Sequence, residues 1–198
     1  LSGLEKWKIF GGGGDELDSG WFRSSNINIS YKHSKSVNNM TETSHNPSLS
    51  TTISPRWSFT FHSGLNATMT TTISNDHAEN NGVVTENNKL RIGLQVRHQF
   101  KAQGFLAKIG LYKPGSNPSI NMDVDVSYNK DSSERSNPGN LTSTPTGQTR
   151  YGVSPRFSYQ VTRNLSGALS FNFNRSKNLA TNLTTTSLGL GVEATFVF

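Results

Sequence analysis

The chain has no cysteine. That removes disulfide frameworks, cysteine-ligated zinc and thiol nucleophiles together. Long apolar runs are missing too: the longest are three or four residues, such as Phe105-Leu106-Ala107. A membrane helix needs roughly 20 apolar residues. Charge is sparse, at 16% of residues, and apolar side chains make up 32%. Adding the 18 glycines brings the apolar share to about 41%, below the roughly 45–50% of soluble globular domains. A large buried core of the doubly wound kind is therefore not expected. The chain has no N-terminal Met, no charged-then-apolar leader and no cleavage motif, so it reads as a mature product or a piece of a longer one. The formal charge is +6, but Lys and Arg are scattered rather than striped, which argues against a nucleic-acid partner.

What is abundant is uncharged and polar. Ser, Thr and Asn number 27, 20 and 21 of the 198 residues. The 11 Phe, 5 Tyr and 3 Trp fall at regular spacing, unlike those of a disordered chain. The spacing has a period of two. Leu90, Ile92, Leu94 and Val96 alternate with Arg91, Gly93, Gln95 and Arg97, and Leu188, Leu190, Val192, Ala194 and Phe196 alternate with Gly189, Gly191, Glu193 and Thr195. Eight segments fit strands with one apolar and one polar face: 24–34, 49–61, 65–74, 88–100, 119–129, 149–161, 164–174 and 186–198. Each is longer than the roughly 5–6 residues of an ordinary strand and matches the roughly 9–11 of a tilted membrane strand.

A soluble sandwich would turn the apolar face inward, and a membrane barrel would turn it outward to lipid. Three features favour the barrel. The polar face is Ser, Thr, Asn, Gly and Gln with few charges. Aromatics collect at strand ends, from Trp57, Phe59 and Phe61 to Phe196 and Phe198. Connections alternate between tight (62–64, 162–164) and long and polar (35–48, 75–87, 130–148, 175–185). The fold class expected is all-β, with about eight antiparallel transmembrane strands of an outer-membrane barrel. Phe198 and the tight turns would be periplasmic and the long segments external, with 101–118 a periplasmic insertion.

The sequence also repeats. Ser54-Pro55-Arg56-Trp57-Ser58-Phe59 returns as Ser154-Pro155-Arg156-Phe157-Ser158-Tyr159, Leu65, Ala67 and Met69 return as Leu165, Gly167 and Leu169, and Ser30-Tyr31 returns as Ser127-Tyr128. Two four-stranded units follow, 1–100 and 101–198, each with a periplasmic lead-in. Pro55 and Pro155 delete a ladder hydrogen bond at equivalent places and predict a bulge or kink.

No enzyme chemistry emerges. His33, His45, His62, His77 and His98 lack metal-ligand spacing, and no serine sits in a glycine-flanked elbow. No Lys-Ser/Thr follows Gly11–Gly14, which reads as a flexible turn. No catalytic residue, metal or cofactor is expected. The one constellation is lumenal: Arg56, Arg91, Arg97, Arg150 and Arg156 with Asp123, Asp125 and Glu193. The arginines could bias a pore toward anions. Solvation or pairing with Asp123, Asp125 and Glu193 is the favoured reading, the two aspartates with lumenal arginines such as Arg150 or Arg156.

The C-terminal run from Leu188 to Phe198 resembles the closing strand of bacterial outer-membrane barrels, in which the terminal Phe is read by the insertion machinery; Phe196 and Phe198 would carry that signal. The wider order is more telling: Gly3–Lys6, then Asn28–Ser34, Ser54–Ser58, Asp123-Val124-Asp125-Val126-Ser127-Tyr128 and Asn164–Leu169. It resembles the extreme C-terminal region of the SprA (Sov) family, the very large translocon barrels of the type 9 secretion system. The resemblance covers nearly all of the chain as pattern and short motifs. It implies a wall segment of a passive conduit for folded proteins in the bacterial outer membrane. The partners it implies are membrane lipid, the rest of a larger barrel, periplasmic and surface accessory proteins, and secreted cargo. The alternative is a self-contained small barrel acting as porin, adhesin or surface anchor. The small residues on the inward face, among them Ser50, Thr52, Ser54, Gly93, Gly152 and Gly191, favour the larger wall, because an eight-stranded lumen is filled by side chains.

Overall fold

In the computed structural model, residues 22–41, 44–80, 82–101, 119–137, 145–160 and 165–196 are described. They form eight strands: β1 (Phe22–Thr41), β2 (Ser44–Phe61), β3 (Asn66–Asn80), β4 (Val83–Lys101), β5 (Ser119–Ser136), β6 (Thr146–Gln160), β7 (Leu165–Asn178) and β8 (Thr184–Phe196). All belong to one antiparallel sheet in the order β1-β2-β3-β4-β5-β6-β7-β8. The sheet is a simple meander and is open, with β1 and β8 as its edges. The lead-in 1–20, the segment 102–118, the turn 162–164 and Phe198 lie outside the described residues.

The alternation read from the sequence becomes two continuous faces, because every strand pairs in a register that keeps like residues together. One lateral row runs Ile53↔Ile73↔Leu90, and another runs Met69↔Leu94↔Val126↔Val153↔Phe173↔Leu188. On the opposite face Thr70↔Gly93↔Ser127↔Gly152↔Asn174↔Ser187 runs alongside. No described side chain is fully buried, and Leu94, Val126, Val153 and Phe171 are each at least a third exposed. The sheet therefore has no core of its own. Stabilisation of its apolar face must come from whatever covers that face.

The apolar face is bounded in height. Across 27–31, 53–61, 67–73, 90–100, 120–128, 151–159, 165–173 and 188–196 it carries no Asp, Glu, Lys or Arg. Charge begins just beyond, with Lys35, Glu86, Lys130, Arg175 and Lys177 on the same face. On β2 and on β4 to β8 the band is eight to ten residue steps long, roughly 26–33 Å along the strands. Tyr31, Tyr128 and Tyr151 mark its upper margin, the last two with ring centroids 5.0 Å apart. Phe59, Phe61, Phe100 and Tyr159 mark the lower one; Trp57, midway along the β2 part of the band, has its ring centroid 4.4 Å from that of Phe59.

Three expectations are corrected. The polar segments 35–48, 75–87, 130–148 and 175–185 are not mainly loops: β1 and β2 run on to Thr41 and from Ser44, and β3 and β4 run to Asn80 and from Val83. Both faces of these extensions are polar, so no apolar alternation announces them. The extension tapers along the sheet. β1 continues ten residues past Tyr31, and β7 five past Phe173. Second, the prolines cause no bulge. The β2·β3 ladder is interrupted between Ile53↔Ile73 and Arg56↔Thr70, and the β6·β7 ladder between Val153↔Phe173 and Arg156↔Ser170. The register is unchanged on either side of both gaps, so each Pro removes its hydrogen bond without inserting a residue. The third correction concerns ion pairs and is taken up with the site.

The tight turn at 62–64 is as expected: Gly64 has φ +80°, and its N–H donates to the Phe61 carbonyl at 3.0 Å. Gly147 on β6 is a stronger constraint. Its φ is +131°, and a Cβ there would collide with the Asp131 carbonyl oxygen and lie 2.9 Å from Ser132 Cα. Gly147→Ala is expected to lower stability by about 1–3 kcal/mol. Gly64→Ala, whose Cβ would meet nothing within 4 Å, carries backbone strain without the collision and should cost less. Urea midpoints of the two variants check the order.

Candidate functional site

The register gathers all eight residues expected in the lumen onto the polar face. Arg56 lies on β2, Arg91 and Arg97 on β4, Asp123 and Asp125 on β5, Arg150 and Arg156 on β6 and Glu193 on β8, each out of phase with its apolar neighbours. They are not one cluster. Four of them make a ribbon of alternating charge low on the face: Arg97, Asp123, Arg156 and Glu193. Asp123 sits directly between Arg97 on β4 and Arg156 on β6.

Arginines do pair with Asp123 and Glu193, as expected, but the partners of the aspartates are not Arg150 and Arg156. Arg97 Nε donates to Asp123 Oδ1 at 3.0 Å. Asp125 accepts from Gln95 Nε2 at 3.1 Å. Arg156 reaches past β7 to Glu193 Oε2 at 2.7 Å. The reach is possible because the β7 residues between them, Ala168 and Ser170, are small, and Gly191 beyond has no side chain. Arg150 pairs with neither aspartate. It faces Asn129, six residues up β6 from the level of Asp123, or roughly 20 Å along the strand. The exposure of Arg97, Arg156 and Glu193 exceeds half. Each such bridge contributes at most about 1 kcal/mol, so the ribbon orders side chains more than it holds the sheet.

Higher on the same face lies a second polar set that the sequence reading passed over. Lys89 Nζ is 3.6 Å from Asp76 Oδ2, Asp76 also accepts from Ser50 Oγ at 2.5 Å, and Arg91 stands 4.0 Å from Asp131. Asp76 and Asp131 fall in segments read as loops. Carrying the even-odd alternation past Ser74 and Asn129 would have placed both on this face. Arg56 and Arg150 make no ion pair or hydrogen bond among the described residues.

Between the charges the face is lined with hydroxyls. Thr52 bonds Ser74 at 3.1 Å, Ser54 bonds Thr72 at 3.4 Å and Thr60 donates to Asn66 at 2.9 Å, all across β2 and β3. A Cβ on Gly93 would stand 2.8 Å from Thr70 Oγ1, and one on Gly191 2.6 Å from Ser170 Oγ. Glycines there let neighbouring hydroxyls lie flat against the sheet. The arrangement can bind water and pass polar matter. Among the described residues no group of three His, Asp or Glu could hold a metal ion; two hydroxyls do meet a titratable side chain, Ser50 at Asp76 on this face and Thr51 at His33 Nδ1, 3.0 Å away, on the other.

On the other face, His98 stacks on Phe100 at 5.9 Å near the lower margin. Phe196 closes β8 at that margin and is 62% exposed. No protein-family model matches the chain, and no curated protein matches it.

Proposed function

We propose that this chain is a wall segment of an outer-membrane β-barrel, serving as a passive, water-filled conduit for protein secretion of the SprA type. The observation that carries the membrane part is the bounded, charge-free apolar band, which no described residue covers, backed by a polar face. A soluble sheet would need a protein layer over that band. Lipid covers it without one, and strands of this length, tilted by about 35–45° as in a barrel, would give the roughly 25 Å apolar belt of outer-membrane barrels. Lipid also explains why the apolar face takes up charge only above the tyrosines, where headgroups and water would begin.

Three features support a larger wall over a small closed barrel. The sheet is open. Its edge strands are unequal, 20 residues in β1 and 13 in β8. Its polar face is small and solvent-accessible, unlike the side-chain-filled interior of an eight-stranded barrel. On this reading the hairpin extensions project outside the cell, the margin marked by Phe61, Phe100 and Phe196 lies toward the periplasm, and no residue performs covalent chemistry. The lumenal ribbon is self-neutralised, and the hydroxyl stripe offers passing cargo little to hold.

Outer membranes of the source cell, blotted with an antibody to the hairpin Ser119–Gln160, test the size of the wall. A band far heavier than the 21.7 kDa of this chain is expected. A band at that mass in the same fraction would replace the translocon reading with the small porin, adhesin or anchor. A signal confined to the soluble fraction would end the membrane reading.

A further inference from the structure

We infer that the upper margin of the apolar face holds a docking site for a lipid phosphate, formed by Lys130 on β5 and by Arg175 and Lys177 on β7 around Thr149 on β6. The inference rests on the membrane reading and adds to it a partner at a defined place.

The register builds the site from residues far apart in sequence. Lys130↔Thr149↔Lys177 form one row, and Tyr128↔Tyr151↔Arg175 form the row beneath. Thr149 is 9% exposed and makes the floor. Gly147, the next residue up β6 on this face, has no side chain to close the notch. Two strand spacings separate the lysine backbones by roughly 10 Å, so both flexible stems can bring their ammonium groups to one phosphate over Thr149. Arg175, one row lower, adds a planar fork suited to phosphate oxygens.

The charge here is uncompensated. The ion pairs of the described residues involve His77, Lys89, Arg91, Arg97 and Arg156, and none uses Lys130, Arg175 or Lys177. The nearest carboxylate up β5 on this face is Glu134, four residues from Lys130 and roughly 13 Å away along the strand. Three unpaired cations on one margin call for an anion. A lipid supplies it better than a free ion does. Directly below the tyrosine row the surface continues as Val126, Val153 and Phe173, which offers acyl chains an apolar track while the headgroup meets the cations. The site stands one rung above the Tyr128–Tyr151 pair, where lipid headgroups lie against aromatic girdles.

The test uses the native polypeptide in detergent and diphosphorylated lipid A as the probe, with retained lipid counted by native mass spectrometry. The triple variant K130A/R175A/K177A is expected to retain at least about tenfold less. Dephosphorylating the lipid should lower retention by the wild type as much. K130R/R175K/K177R should keep it, which separates loss of charge from loss of fold, and the single variants K130A and K177A serve if the triple does not fold. Retention by the triple variant equal to the wild type overturns the site. So does displacement of lipid A by millimolar inorganic phosphate, which would mark a free-anion site. Vesicles of phosphatidylcholine alone keep the two readings apart. A chain that enters them but shows no phosphate preference loses the docking site only, and a chain that does not enter them loses the membrane reading as well.

Discussion

Leu94→Arg is expected to destabilise the membrane-embedded fold by about 2–4 kcal/mol, whereas Gln95→Arg, one residue along, should change it by less than about 0.5 kcal/mol. Leu94 lies midway up the apolar band, directly between Met69 and Val126, and is 38% exposed with no described side chain to cover it. On the membrane reading, a guanidinium there must be solvated by lipid or pull water into the bilayer. At 1.4 kcal/mol per decade the loss is roughly 30- to 1,000-fold in the folded-to-unfolded ratio. Gln95 points the other way and donates to Asp125. An arginine in its place meets that carboxylate in an aqueous setting, which is neutral or slightly favourable. Urea titration of both variants in vesicles, followed by tryptophan emission and by heat-dependent mobility on gels, measures the contrast. Equal tolerance of the two substitutions would sink the lipid-facing assignment. If wild-type protein stripped of lipid and detergent kept its fold, a protein layer, not lipid, would be what covers the band.

Cysteines placed at Ile29 and Val192 should not form a disulfide, while cysteines at Leu94 and Val126 should form one readily. The background is clean because the chain has no cysteine of its own. Leu94 and Val126 are directly opposed on β4 and β5, and such pairs lie about 4.5–5.5 Å apart at Cα, within disulfide range. Ile29 and Val192 sit on the two edges, with six strands between. Closure would also be ill-matched. Setting the upper margins level brings Tyr31 beside Leu188, and β8 then ends at Thr184 opposite Lys35. Residues 36–41 of β1, paired with β2 on one side, would have no neighbour on the other. A strand of similar length from the rest of a larger wall satisfies them, as backbone groups at a barrel seam require. Efficient intramolecular oxidation of the Ile29–Val192 pair in the native polypeptide would establish the small closed barrel. Dimers linked through that pair would point to a ring of copies.

The duplication shows how far the alternation reaches and where it stops. Met69 pairs with Leu94 as Leu169 pairs with Val192, and Trp57 pairs with Met69 as Phe157 pairs with Leu169. The repeated residues of β2–β3–β4 and β6–β7–β8 thus share one register. The leading strands do not. Tyr31 pairs with Ile53, but its counterpart Tyr128 pairs with Tyr151 and not with Val153, the counterpart of Ile53. The offset is two residues. It leaves every side chain on its own face, so nothing in the apolar pattern opposes it.

That offset separates what the sequence determined from what only the tertiary structure decided. The sequence by itself determined eight two-faced strands, the face each residue takes, Tyr128 and Tyr151 at one end of the apolar band and the polar face that carries Arg56, Arg91, Arg97, Asp123, Asp125, Arg150, Arg156 and Glu193. All of these are local consequences of period two in a pleated strand. Trp57, expected at a strand end, falls mid-band. The strand ends beyond Tyr31, Ile73 and Tyr128 were not legible, because a strand wetted on both faces has no alternation to show. The contacts were not legible either. A period of two specifies register only to within an even number of residues, and each step of two moves a side chain nearly 7 Å along its neighbour. Whether Asp123 meets Arg97 or lies a strand's length from Arg150, and whether Lys130 and Lys177 flank one threonine, depends on that choice. Turn geometry and packing between strands 15 to 50 residues apart make it, and they exist only once the sheet has formed.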